Sequence, residues 1–567
     1  MSNRRSFYRK IIYVGAVALL LLPLSWLSSP AVHGSASRPG SAGGKLAQLR
    51  TRYRLSQADL GEIDPASETI RLAMLGMRGV AANILWSKAN HYKMTEDWTN
   101  LSATLEQITK LQPNFVSVWQ FQAWNLSYNV SVEFDDYRDR YHWVIRGIEF
   151  LKQGERYNED NPRLLWDIGW FISQKIGRAD ESKQFRKLFK ADDDFHPPDR
   201  TRSQRDNWLV GKEWFRRGER SVLSKDKPLR IHGKGKSDLI FFSDAPMCQI
   251  NYGSAIEEEG TLGEVARIAW KQGGSEWYGY GNMPLSHRSG NKIRLNDLER
   301  LEKKTKDLEG QLEALAPGTR QHIVEQRRAA LTEAQRTAYD TPRQERTAEQ
   351  YQLANQASGA LRVSPIDVAK QIVHDLPDKG DEAVRLGRAQ AILQRRLTDV
   401  RRLRAIVNYD YWRTRCQFEQ TNEALLARAK IYQGDRALAD ANIVEAKRLY
   451  AEGLDKWRVV LDRFPMILND AITGEDLMDI IKKYREILDE LDEPFPSDFV
   501  LMDVVRQNDT SGAFNDVLQS IRPDDGPGES DGSGESDGSG KGDGSGKGDG
   551  PDENNAKADE GSTLGSK

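Results

Sequence analysis

Cysteine is nearly absent: Cys248 and Cys416, 168 positions apart, are the only two in 567 residues. That scarcity excludes a disulfide framework and any C-x-x-C pair for zinc, haem or thiol exchange, leaving one long-range bridge or two buried thiols. Histidine is scarce as well. The eight histidines include no H-E-x-x-H pair. His196, His232 and His287 with Cys248, the one set to consider as metal ligands, have no paired spacing. No G-x-S-x-G elbow occurs, and neither cysteine has a recognisable histidine context. Gly235-Lys236-Ser237 ends as a phosphate-binding loop ends, yet Arg230 stands where the first glycine belongs and no apolar strand leads in. No catalytic motif is found, and no metal or cofactor is called for.

A basic balance is missing too. The formal charge is −2, and residues 523–567 hold 12 Asp and Glu against 4 Lys, so the preceding residues carry only +6. Phosphate neutralisation needs a concentrated basic face, so nucleic acid is not an expected partner. Long apolar runs number one. Ile11 to Leu27, IIYVGAVALLLLPLSWL, has 17 residues without a charge, behind Arg4, Arg5, Arg9 and Lys10 in a basic segment 1–10. At about 1.5 Å per residue the run covers roughly 25 Å, marginal for an apolar layer of about 30 Å. A cleaved signal peptide and a retained anchor both fit; the length of the run and a weak A-x-A site favour the anchor. In either case the cations stay in the cytoplasm and residues 28–567 cross, and the favoured anchor reading makes a single-pass envelope protein.

Aromatic residues, by contrast, concentrate in QPNFVSVWQFQAWNLSYNVSVEFDDYRDRYHWV, which holds nine between 112 and 144. Phe121, Trp124 and Tyr128 are spaced by three and four, as are Phe134, Tyr137 and Tyr141, while Phe115 and Trp119 are four apart. These spacings predict two amphipathic helices broken near 129–134, with the rings packed in a helical core rather than exposed for recognition. Asp135-Asp136 and Asp192-Asp193-Asp194 read as helix caps or solvent-facing runs. A second mixture lies further on, where Arg401, Arg402, Arg404, Arg413 and Arg415 surround Tyr409, Tyr411 and Trp412. Packing of the arginine stems on a helix explains it, and clasping of a polyanion or a partner is the alternative.

Residues 82–115 read as helix, turn at Thr95 to Asp97, helix and proline. Ala89, Tyr92, Leu105, Ile108 and Pro113 fall at positions 8, 11, 24, 27 and 32 of a 34-residue unit, so the segment resembles a tetratricopeptide (TPR) repeat. Leu165, Ile168, Gly169 and Ile172 after Asn161-Pro162 resemble a first helix, with Asp180 to Lys190 as its expected partner. Leu425, Ala429, Tyr432, Gly434 and Ala441 resemble another unit whose second helix is long before Pro465. The phrases RGVAANILWSKA, QPNFVSVWQFQAWNLSYNVSVEFDDYR and NYDYWRTRC also resemble a planctomycete family of membrane-anchored proteins of unknown role, some called iron-responsive element (IRE) proteins. That resemblance implies an envelope setting and no mechanism.

The expected fold is all-α: TPR-like helical hairpins in two blocks, 71–225 and 401–522, after a linker at 28–70. Between them stand an irregular Gly/Pro-rich insert at 226–290, with one short helix over Thr261 to Gln272, and a charged region at 291–400. Leu298, Leu301, Leu308, Leu312 and Leu315 make an apolar stripe there, suggesting an amphipathic hairpin or short coiled coil. Helix breaks are expected at Thr341-Pro342, Ser364-Pro365 and Leu376 to Gly380. The tail repeats GESDGS and GKGDGS and cannot bury apolar surface, so 523–567 is expected to be a disordered acidic spacer. The expected function is a membrane-anchored helical scaffold for a protein or peptide partner, with Trp119, Trp124, Tyr128, Arg404, Tyr411, Trp412 and Arg415 as candidate partner-binding residues. An envelope enzyme or ligand-binding protein using the insert and a structural spacer are the alternatives. Nothing in the sequence sets an oligomeric state.

Overall fold

The computed structural model describes residues 78–224, 235–287, 290–468 and 471–520, together with Leu19, Gly44, Lys45 and Gln48. Apart from those four, the apolar segment 11–27 and the linker 28–70 lie outside the described residues, as do His232 and the tail 523–567. Among the described residues no helix is long and apolar enough to cross a membrane. The chain divides into two units, Met1–Ala513 and Phe514–Lys567.

In the first unit, α1 (Arg78–Met94) and α2 (Trp98–Leu111) form the hairpin that the repeat spacing predicts. Glu96 turns the chain at a φ of 55°, and Asp97 caps α2 by accepting from the Asn100 amide at 3.1 Å. Ala89, Leu105 and Ile108 are buried with Leu101 and Val118. Each large aliphatic side chain sealed this way contributes about 1.5–3 kcal/mol.

The aromatic stretch becomes α3 (Val116–Trp124), a π-helical turn at Asn125–Val130, a 3₁₀ turn at Ser131–Glu133 and α4 (Tyr137–Tyr157). The predicted break is thus present, and Asp136 caps α4. The same plan follows again in α5 (Pro162–Trp170), a π-helical turn at Phe171–Lys175, α6 (Ser182–Ala191) and α7 (Asn207–Leu223). Here the sequence expectation needs correction, because the main partner of α5 is α7 and not the helix at 180–190.

The reason is a duplication that the repeat reading missed. α4 carries GIEFLKQGER from Gly147, and α7 carries GKEWFRRGER from Gly211. Gly147 lies against Ser127 and the Ala123 carbonyl; Gly211 lies against Ser173 and the Gly169 carbonyl. Seven residues on, Gly154 packs on Trp119 and Gly218 on Leu165. In both copies a glycine brings the second helix close enough to cover the π-helical turn of the first.

The insert is the largest correction. Where an irregular segment is expected, the chain forms α8 (Asp238–Phe241), α9 (Asp244–Glu258) and α10 (Glu264–Gly281). The two-residue strands Leu285–Ser286 and Lys292–Ile293 then pair antiparallel, the only sheet among the described residues. The glycines that suggested loops sit inside helices at close contacts: a Cβ on Gly253 would stand 3.1 Å from Trp270, and one on Gly273 3.2 Å from Ile250.

Beyond it come α11 (Leu298–Leu315), α12 (Thr319–Ala329), α13 (Glu333–Asp340), α14 (Ala348–Leu361), α15 (Pro365–Asp375) and α16 (Gly380–Ile406). The breaks at 341–342, 364–365 and 376–380 fall where proline and capping residues place them. The leucine stripe of α11 packs on α16 and α15, with Leu301 and Leu312 buried. A domain boundary at 400 does not exist, since α16 runs through it. The remaining helices of this unit are α17 (Tyr409–Glu419), α18 (Asn422–Ala439), α19 (Ile443–Arg463), α20 (Ala471–Glu490) and α21 (Met502–Asn508). α18 and α19 form the expected long hairpin. In the second unit the described residues form α22 (Asn515–Ser520).

Candidate functional site

A groove of about 940 Å³ is bordered by α2 and α4. Its floor is Trp119, whose indole N–H donates to the Pro113 carbonyl at 2.7 Å and whose ring lies 4.6 Å from Phe150 and 5.9 Å from Tyr157. Trp119 is predicted as a partner-binding residue and is only 1% exposed, so it shapes the floor and offers little surface of its own. Trp98 and Trp143 stand on the walls, Trp98 donating to Glu133 at 3.2 Å and Trp143 stacked on Phe134 at 5.9 Å. Charges of both signs line the rim: Lys110, Arg146, Lys152 and Arg156 against Glu106, Glu133, Glu149 and Asp194. Lys152 is drawn under this rim onto the Phe195 ring, 4.3 Å from its centre, and burial pulls its ammonium below the usual lysine range. The result is an apolar floor with balanced polar edges, a surface suited to an amphipathic segment.

Trp124 and Tyr128 do not line this groove. Trp124 is 41% exposed, and its ring stacks on that of half-buried Tyr128 at 6.2 Å. Their helical spacing was read as core packing, and exposure of Trp124 corrects that reading.

The C-terminal candidates are elsewhere and mostly inaccessible. Arg404, Tyr411 and Arg415 are all buried. Arg404 donates to the Leu295 carbonyl at 2.7 Å and pairs with Asp410, while Tyr409 beneath it stacks on Trp277 at 5.6 Å. Arg415 donates to Tyr411 at 2.8 Å and lies near Trp270, Trp412, Glu419 and Asp476. Half-buried Trp412 packs against the same core. Arg415 and Tyr411 tie α17 to α10 and α20, and Arg404 ties α16 to the segment before α11, while Arg401 and Arg402 stay exposed. Their burial fits the packing explanation and leaves Arg404, Tyr411 and Arg415 little surface to offer a partner. A buried Glu257 on α9 completes the junction: desolvation and the facing Glu419 raise its carboxyl above the usual range, with Arg428 between them.

No known protein family matches this chain, and no curated protein does.

Its chemistry must accordingly be judged on the residues. Both cysteines are free and buried, and burial pushes the Cys416 thiol up to about 12 and Cys248 higher, the opposite of an activated nucleophile. No group of three His, Cys, Asp or Glu among the described residues is arranged to hold a metal. Ser237 of the Gly-Lys-Ser motif caps the four-residue α8, too short to offer a phosphate-binding helix end.

Sequence reading missed a pair of perturbed carboxyls. Asp244 accepts from the Trp166 indole at 2.7 Å, and Asp167 accepts from Gln120 at 2.5 Å. Lys236 faces both and sits 3.9 Å over the Trp166 ring. Burial raises Asp244 to about 7 and Asp167 to about 6. They lie 77 positions apart in sequence, and no spacing rule announces them.

Proposed function

We propose that this chain is a membrane-anchored, exported helical-repeat scaffold that binds a protein or peptide partner in the cell envelope. The groove between α2 and α4 carries the proposal, because its aromatic floor and mixed-charge rim form the kind of concave surface on which stacked helical hairpins seat an amphipathic helix or an extended segment. The envelope setting is supported by the apolar run 11–27 with its preceding cations and by the planctomycete resemblance. The partner's affinity should concentrate in contacts to Trp98 and Trp143, with the charged rim fixing its register.

The test is site-specific photo-cross-linking in intact cells, with the reactive group at Ser102 or Gln153 in the groove and a control at exposed Glu349 on α14. A discrete adduct from the groove positions, absent from the control and reduced about tenfold by Lys110→Glu with Arg146→Glu, is expected. Equal labelling from Glu349, or an adduct indifferent to the charge reversals, would sink the reading.

A further inference from the structure

Outside the groove, a chain of aromatic rings runs across the ends of α3 and α5. Trp86 lies 6.1 Å from Phe121, Phe121 6.2 Å from Trp124, and Trp124 6.2 Å from Tyr128. Trp170 lies beside the Tyr128 hydroxyl and stacks on Trp166 at 5.1 Å. The Trp124–Tyr128 and Trp166–Trp170 pairs are both within 18° of parallel. Trp86, Trp124 and Trp170 are 39%, 41% and 36% exposed, and no cation is seated on the ring of Trp124 or Trp170 among the described residues. None of these rings lines the groove.

Two further features belong to this track. Trp124 and Trp170 hold equivalent places in the duplicated units, each the last residue of its α-helix before a π-helical turn. Such turns gather at functional positions. Charge along the track is mixed: Lys93 sits 5.3 Å over Phe121, Lys175 sits 4.3 Å over Tyr128 and interacts with Glu181, Asp180 and Arg140, and Lys236 over Trp166 interacts with Asp167 and Asp244, with Arg163 beside Asp167.

We propose that this track binds a linear, uncharged polysaccharide. A sugar ring presents a flat face of C–H bonds that stacks on an open indole, and its hydroxyls both donate and accept; the neighbouring polar groups are themselves mutually paired, the Gln120 amide with the Asp167 carboxyl at 2.5 Å and the Asn129 amide with Asn125 at 3.0 Å. A platform repeated by duplication suits a polymer whose own units repeat. Lysines interspersed with carboxylates do not make the concentrated basic face that a nucleic acid or an acidic glycan requires.

Native affinity electrophoresis of the full chain, in a zwitterionic detergent without a sugar headgroup, tests this. The gels contain hydroxyethylcellulose, galactomannan or a soluble xylan, with polygalacturonate and a polyproline peptide in parallel. At least one neutral polysaccharide should retard the protein. Trp124→Ala with Trp170→Ala should weaken retardation about tenfold or more, while Trp124→Phe with Trp170→Phe keeps most of it. Tryptophan emission of the unaltered protein should shift on saturation, a readout that does not depend on a variant folding. Binding confined to polygalacturonate or polyproline, no retardation by any neutral polymer, or an alanine variant retarded like the parent would each overturn the proposal.

Discussion

A glycine at position 154 and one at position 218 look alike in sequence, since each opens a Gly-Glu-Arg triplet. The structure separates them. A Cβ on Gly154 would stand 2.6 Å from the Trp119 ring, whereas one on Gly218 would meet Phe241 at 3.5 Å and Leu165 at 3.6 Å, ordinary contact distances. Gly154→Ala should therefore destabilise the protein by about 1–3 kcal/mol through overpacking. Gly218→Ala should be neutral or stabilise by up to about 1 kcal/mol through helix propensity. Urea unfolding of the two variants beside the parent decides the matter, and equal effects would refute the reading. At this scale, spacing of three and four residues identified Trp119 as core. It could not reveal that Trp124 is exposed, because spacing shows which side chains share a helix face and not what covers that face.

Elements bounded by proline or a capping residue were the ones the sequence displayed best. Asp97, Asn161-Pro162 and Ser364-Pro365 start helices where expected, each with a side chain accepting from the first turn. The first half of α10 matches the helix expected over Thr261 to Gln272, but α9 and the rest of α10 were hidden because Gly253, Gly273 and Gly274 register as loop residues until the opposing helix supplies the reason for them. The same partner elements create the carboxyl pair at Asp167 and Asp244, which local sequence has no means of showing. Its pH consequence has a definite sign. Asp244 rises from an ordinary 3.8 to about 7 in the folded chain, so the folded state binds more protons between those values. Stability gained in acid is then lost as pH rises through about 7. Glu155 and Glu219, both raised by burial, act in the same direction, and Arg217 and Arg216 oppose them. Asp244→Asn should flatten part of the decline in unfolding free energy between about pH 4 and about pH 7. An unchanged slope would show that Asp244 ionises as freely as in solvent.

For the first unit as a whole, the decisive fact is that one of its apolar cores takes Trp166, Trp208 and Phe215 from the early helices, Trp270 and Trp277 from the supposed insert, and Val400, Tyr409 and Cys416 from the later ones. The expected irregular insert thus supplies helices to a core it shares with residues from both expected blocks. Removing 235–287 should abolish cooperative unfolding and yield an aggregating chain, because it strips fully buried Trp270 and Trp277 from that core. A soluble deletion protein with a sharp thermal transition would show that the insert folds apart. Cys248 and Cys416 report the same cohesion, and Ellman's reagent should reach them only at the rate at which the unit opens. Rapid modification of either thiol in native buffer would contradict the buried assignment.

The π-helical turns after Trp124 and Trp170 amount to one surplus residue wound into an otherwise α-helical path. Each residue of an α-helix advances the chain by about 100° around its axis. Loss of one residue from either turn would therefore swing every side chain beyond it by more than a quarter of a circle relative to the tryptophan before it. The pitch at which this surface displays its rings is set by two single-residue insertions, and a descendant could retune it by a codon's loss without altering any ring.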